Sequence, residues 1–147
     1  MQFNNPNIIH GAISSLKESC DNSMEIVEIN LNRKVIKKKD IKNIKYPASK
    51  IMWNPYPLSY GYEEQVIGVA SDKMRLYSYG VNSGLRLKTE LKNTLLKDLS
   101  APLTSFDWSP NTNFICCSSI DTTCTLFDVN TESFYKQLIA HDKEVIN

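Results

Sequence analysis

Histidine is nearly missing from this chain, with two in 147 residues, and glycine is scarce at five. No Gly-rich loop is present to cradle a phosphate. No Ser, Asp and His combination suggests a nucleophilic triad, since His10 lies in a β-type run without an obvious acidic neighbour. The four cysteines, Cys20, Cys116, Cys117 and Cys124, lack the spacings of a zinc site. An enzyme, a cofactor and a bound metal are therefore not expected. The cysteines read as buried free thiols in a reducing compartment, with adjacent Cys116 and Cys117 on opposite faces of a strand.

Other absences narrow the class further. No apolar run approaches the ~18 residues that span a bilayer, and the N-terminus lacks the basic flank and apolar core of a signal peptide. Net charge is only +1 and hydrophobic content is 41%, so no global field favours nucleic acid or an anionic membrane. A soluble intracellular protein is expected, without a small-molecule substrate. Helical periodicity is weak, because no stretch keeps an i, i+3, i+4 apolar stripe between caps. Leu91 to Leu99 is the best exception and has room for a helical turn or two.

What is present is a repeat. Leu103 to Asp142 gives four short β-type runs, LTSFDWSP, FICCSSID, TTCTLFDVN and FYKQLIAHD, punctuated by turn residues. Four strands every ~40 to 45 residues mark a β-propeller blade. Shifted copies sit upstream: Lys50–Pro55 precedes Gln65–Asp72, and Met1–Asn7 precedes Ile8–Ser15. Each runs aromatic, Asn or Ser, Pro, then β-formers ending in small residues. The second strand of each copy is expected to be apolar without alternation, buried on both faces between neighbouring blades. Third and fourth strands are predicted at Ser23–Asn30 with Val35–Ile41, Met74–Tyr79 with Leu85–Leu91, and Cys124–Val129 with Tyr135–Ala140. The fold class is all-β, about three four-stranded blades of a propeller. Residues 1–45 form a clipped first blade, 46–100 a second, 101–142 a third, and 143–147 the start of a fourth. An open stack of blades leaves apolar faces bare at both ends, so the expectation is a piece of a larger ring.

Four strings carry a more specific likeness: Tyr46-Pro47-Ala48-Ser49-Lys50-Ile51-Met52-Trp53, Ala101-Pro102-Leu103-Thr104-Ser105-Phe106-Asp107-Trp108, Ser118-Ser119-Ile120-Asp121-Thr122-Thr123-Cys124-Thr125 and Gln137 to Val145. They resemble the WD-repeat adaptors of the anthocyanin-regulator and transparent testa glabra group, whose animal relatives are DDB1- and cullin-4-associated, kinase-binding WD-repeat proteins. The resemblance covers nearly the whole chain. It implies a non-enzymatic, seven-bladed propeller of cytoplasm and nucleus that docks transcription factors or dual-specificity protein kinases. The chain departs from the pattern where Phe127 before Asp128 replaces the usual Trp. Phe127-Asp128-Val129-Asn130 also ends in Asn where the motif engaging the cullin-4 adaptor ends in Arg. A substrate-receptor role in a cullin-4 ubiquitin ligase is thus an alternative to the scaffold.

Individual residues carry a structural and a functional reading. Asp72 and Asp121 sit between second and third strands, where Asp accepts backbone N–H bonds in tight turns; partner contact is the other reading. Trp53 and Trp108 close the innermost strands and read as packing between blades rather than ligand stacking. His141 resembles the His that opens a WD repeat. Tyr56, Tyr60 and Tyr62 occupy the long Pro55–Glu64 loop, where exposed Tyr suits a partner surface. Arg33 to Lys39 with Lys42 is the one concentrated charge cluster. It reads as an outer strand whose lysines block edge-to-edge pairing, with nucleic-acid binding through residues 33–42 as the alternative.

Overall fold

The computed structural model describes residues 7–55, 64–94 and 101–139. Eleven strands form three antiparallel sheets among them, in chain order. The first sheet holds β1 (Ile8–Ser14), β2 (Asn22–Asn30) and β3 (Val35–Ile44). The second holds β4 (Lys50–Trp53), β5 (Glu64–Ala70), β6 (Met74–Gly80) and β7 (Gly84–Leu91). The third holds β8 (Leu103–Trp108), β9 (Phe114–Ser119), β10 (Thr123–Asp128) and β11 (Ser133–Ile139). Each strand pairs with its sequence neighbour, so every sheet is a meander: three consecutive blades of a propeller. The innermost strand expected before Asn7 and the start of a fourth blade lie outside the described residues. Leu91 ends β7 and residues 92–94 are not helical, while the rest of the proposed helical turn lies outside the described residues.

The repeat extends to fine geometry. A bulge interrupts the pairing of the last two strands at Ile26/Val27, Leu76/Tyr77 and Leu126/Phe127. The turn between those strands contains one left-handed residue in each sheet: Lys34 at φ 53°, Gly84 at 73° and Glu132 at 52°. Only Gly takes that conformation without steric cost; Lys34 and Glu132 hold it because the flanking strands dictate the turn.

Two apolar cores lie between the sheets. Met24, Ile26 and Ile44 of the first sheet pack on Ile67, Val69, Tyr77 and Tyr79 of the second. From its opposite face, Val66, Ala70, Met74 and Leu76 pack on Phe106, Trp108, Ile115 and Phe127 of the third. β5 therefore supplies both cores from alternate residues, and Gln65 to Ala70 are all buried. This is the two-sided burial expected of a second strand. It holds for β5 alone. In β9, Ile115, Cys117 and Ser119 are buried while Cys116 is exposed. In β1 only His10 is buried. The reason is positional: the outer sheets have a neighbour on one side only.

Two expectations need correction. The cysteines are all free, but only Cys117 is buried; Cys20 and Cys116 are exposed and Cys124 is half-buried. His10 does have an acidic neighbour. Strand pairing sets it opposite Glu28, with Nε2 3.7 Å from the carboxylate. The acid sits eighteen positions away along the chain and becomes adjacent only through the β1–β2 register.

Candidate interaction surface

Turns between β1 and β2, β5 and β6, and β9 and β10 emerge at one end of the sheets. The connections preceding β4 and β8 join them. A repeated hydrogen bond ties these segments together. The Ser71 hydroxyl, just after β5, donates to the Pro47 carbonyl at 3.0 Å. The Ser119 hydroxyl, ending β9, donates to the Pro102 carbonyl at 3.0 Å. The Leu103 N–H also donates to the Ser71 carbonyl at 2.8 Å, joining the third sheet to the second. Proline has no N–H and a fixed φ, so Pro47 and Pro102 present their carbonyls from a stiff backbone. Tyr46, Pro47, Ser71, Asp72 and Pro102 line one hollow at this end.

The charged residues here are largely matched. The Arg75 guanidinium donates to both Asp72 oxygens at 2.7 and 3.2 Å and to Glu90 at 3.0 Å. Lys73 reaches Glu90 at 3.2 Å. Burial opposes the charge on Asp72, yet the hydrogen-bonded guanidinium outweighs it and holds the carboxyl below its usual value. The hydrogen bond to Asp72 in turn raises the Arg75 pKa against the opposing effect of burial. Asp121 behaves differently. Its Oδ1 accepts from the Thr123 N–H at 3.0 Å and the Thr123 hydroxyl at 2.7 Å, shaping its own turn. Burial works against its charge, but those bonds prevail and its carboxyl is also held low. Asp72 and Asp121 thus occupy the same repeat position in two roles, one clasping an Arg and one closing a turn.

The remaining singled-out residues are scattered over the wedges. Trp53 ends β4 half-buried, edge-on to Tyr79 at 6.2 Å between ring centroids. Trp108 is buried against Phe106 at 6.4 Å, and its indole N–H has no hydrogen-bond partner among the described residues. Phe127 lies in the core between second and third sheets. Asp128 accepts the N–H groups of Asn130 and Thr131 at 2.8 and 3.1 Å, closing the β10–β11 turn. His141, Tyr56, Tyr60 and Tyr62 lie outside the described residues.

The basic cluster follows β3, the outer strand of the first sheet. Lys38 pairs with Glu25 at 2.8 Å and Lys39 with Glu28 at 3.2 Å. Arg33, Lys34, Lys37 and Lys42 make no ion pair among the described residues. Sequence reasoning passed over Arg75, Glu90 and Asp40. Arg75 shows itself only as a polar residue alternating with Met74 and Leu76 along β6; nothing in the sequence places Glu90 beside it. Among the described residues, no group of three His, Cys, Asp or Glu side chains is placed to hold a metal ion. No helix among them is long and apolar enough to cross a membrane.

No protein-family model matches the chain. It is 32% identical over 143 residues to an uncharacterized WD repeat-containing protein of Schizosaccharomyces pombe, covering 91% of this chain and 33% of that protein. It is 32% identical over 160 residues to a DDB1- and CUL4-associated factor 7 homolog of Dictyostelium discoideum, covering 99% of this chain and 48% of that one. The chain therefore spans less than half the length of these two relatives. In three dimensions it is similar to Sqt1 of Saccharomyces cerevisiae, with a TM-score of 0.67 at 13% identity over 92% of this chain and 36% of Sqt1. That likeness supports the propeller architecture.

Proposed function

We propose that this chain of WD-repeat propeller blades works as a non-enzymatic scaffold whose activity is to hold other proteins. The observation that carries the reading is the double-sided core around β5, which locks three sheets into one block and presents their turns together at one end. Partners docking on such preordered turns bind without a large ordering cost. WD-repeat proteins generally serve as protein-interaction scaffolds. The similarity to a DDB1- and CUL4-associated factor 7 homolog extends the proposal to protein partners of the adaptor kind, transcription factors or protein kinases, in cytoplasm and nucleus. Blade limits of 1–45, 46–100 and 101–142 belong to the same proposal, as does partner contact by Tyr56, Tyr60 and Tyr62. The Dictyostelium relative's name also keeps a cullin-4 substrate-receptor role in view. The exposed Asn130, hydrogen-bonded to Asn113 at 3.2 Å, stands where that role calls for Arg.

The competing nucleic-acid reading rests on β3. The immobilised chain should retain protein partners, and retention should survive Lys37→Glu with Lys38→Glu. Duplex DNA and single-stranded RNA should not bind at physiological salt. Steeply salt-dependent nucleic-acid binding that the double charge reversal abolishes would overturn the scaffold in favour of that reading.

A further inference from the structure

The last strand of each sheet is an edge, and the three edges differ in how their charges are matched. On β7, Arg86 pairs with Glu64, Lys88 with Glu132 at 3.4 Å, and Glu90 with Arg75 at 3.0 Å and Lys73 at 3.2 Å. β11 carries a single charge, Lys136. On β3 and the turn before it the acids run out. Glu25 takes Lys38 at 2.8 Å and Glu28 takes Lys39 at 3.2 Å. Asp40 accepts the Leu85 N–H at 2.6 Å through one oxygen and the Ile41 N–H at 2.8 Å through the other. Arg33, Lys34, Lys37 and Lys42 are exposed and left without an acid among the described residues.

At ten residues β3 is also the longest strand among those described, and all of it except Asp40 and Ile44 is exposed. β2 is its one neighbour among them, so every second N–H and C=O of β3 is turned to solvent. Register sorts its side chains between two faces. Lys37 and Lys42 stand opposite Glu28 and Met24, on the face of β2 that also holds Ile26. On the other face Ile36 and Ile41, 68% and 56% exposed, flank Lys38, which Glu25 neutralises. One face of this edge is therefore cationic and the other apolar. Lys37 and Lys42 are separated by four β2 residues, about 13 Å of strand rise.

We propose that β3 accepts, as an added strand, an extended segment of a partner protein in which acidic and β-branched residues alternate. Acids at positions i and i+4 reach Lys37 and Lys42, the apolar side chains cover Ile36 and Ile41, and the segment's main chain fills the open ladder. A second copy of β3 brings the same cations and is repelled. A nucleic acid would meet the cations, but its phosphates gain nothing from Ile36 and Ile41 and cannot complete a β-ladder. The inference goes beyond the scaffold reading by adding a second surface, along a strand edge rather than at the turn end.

The test titrates the isotopically labelled chain with a blocked eight-residue peptide of alternating glutamate and valine, followed by NMR amide shifts and hydrogen exchange. Its controls are the lysine–valine counterpart, the glutamate–valine peptide N-methylated at every residue, and duplex DNA. The glutamate–valine peptide should shift the amides of β3 saturably and slow their exchange, with affinity falling several-fold between about 50 and 500 mM salt. N-methylation should weaken it by about tenfold, because the donors to the ladder are gone. Lys37→Glu with Lys42→Glu should also weaken it by about tenfold, replacing two attractions by two repulsions, whereas Lys136→Glu on β11 should leave it unchanged. No saturable shift on β3, equal binding of the N-methylated or lysine peptide, tighter binding of the DNA, or shifts centred on β7 or β11 would each overturn the inference. Those outcomes leave the scaffold reading standing, because retention of partners at the turn end is read separately and should survive Lys37→Glu with Lys38→Glu.

Discussion

At the scale of single residues, Gly68 and His10 show how little room the block leaves. A Cβ at Gly68 would come within 2.7 Å of the Phe106 ring and 2.8 Å of the Met74 methyl. Overpacking of this kind costs about 1–3 kcal/mol, so Gly68→Ala should lower the unfolding free energy measured in urea by that much, and an unchanged midpoint would contradict the close approach of β5 to β8. His10 is buried beside Tyr79, with ring centroids 5.7 Å apart. Burial lowers its pKa, with Glu28 opposing and Lys39 reinforcing the effect. A histidine less basic when folded binds fewer protons than the unfolded chain. Its stability contribution is complete above the unfolded pKa of about 6.5 and declines as pH falls below that value. Stability measured from pH 7.5 down to 5.5 should therefore drop less in His10→Gln than in the parent chain; identical profiles would refute the burial argument.

At the scale of elements, the edges and ties between sheets matter most. Asp40 of β3 accepts the Leu85 N–H of β7 at 2.6 Å, a bond between first and second sheets. The bulge at Ile26/Val27 lies beside the pairing of Ile26 with Asp40, at the point where β3 meets β7. Asp40→Ala should cost about 1–2 kcal/mol, toward the low end for a charged hydrogen bond because the site is partly solvated. A loss confined to the first sheet in hydrogen exchange would show that the tie is local. β3 is guarded by exposed lysines, whereas β11 exposes Tyr135 and Leu138 with Lys136 as its single charge. Unguarded edges pair with other strands, so Tyr135→Lys with Leu138→Lys should reduce concentration-dependent aggregation measured by light scattering. An unchanged aggregation rate would rule out β11 as the sticky edge.

For the whole molecule, the middle sheet is covered on both sides and the outer sheets on one. Exchange protection follows burial and cooperative packing. The amides of β5 and β6 should be the slowest to exchange, with β1, β3 and β11 the fastest among the strands. Equal protection across all three sheets would mean that the outer faces are covered in solution. Those faces carry apolar residues such as Ile13 and Ile41 on the first sheet and Leu138 on the third. Among the described residues, each internal face is covered by a neighbouring sheet.

Strand order, the meander of each sheet and the three-fold repeat were all legible in the sequence, because β-formers and turn residues recur in step and local hydrogen bonding settles hairpins between neighbours. Turn roles such as Asp121 closing onto Thr123 were legible for the same reason. What only the tertiary structure decided is which strand faces are covered and which distant groups meet: Glu28 beside His10, Arg75 bridging Asp72 and Glu90, and Asp40 on Leu85. Pattern along a chain specifies which residues share a strand and a turn. Register between strands and the stacking of sheets bring together side chains tens of positions apart, and these depend on packing that no local stretch encodes.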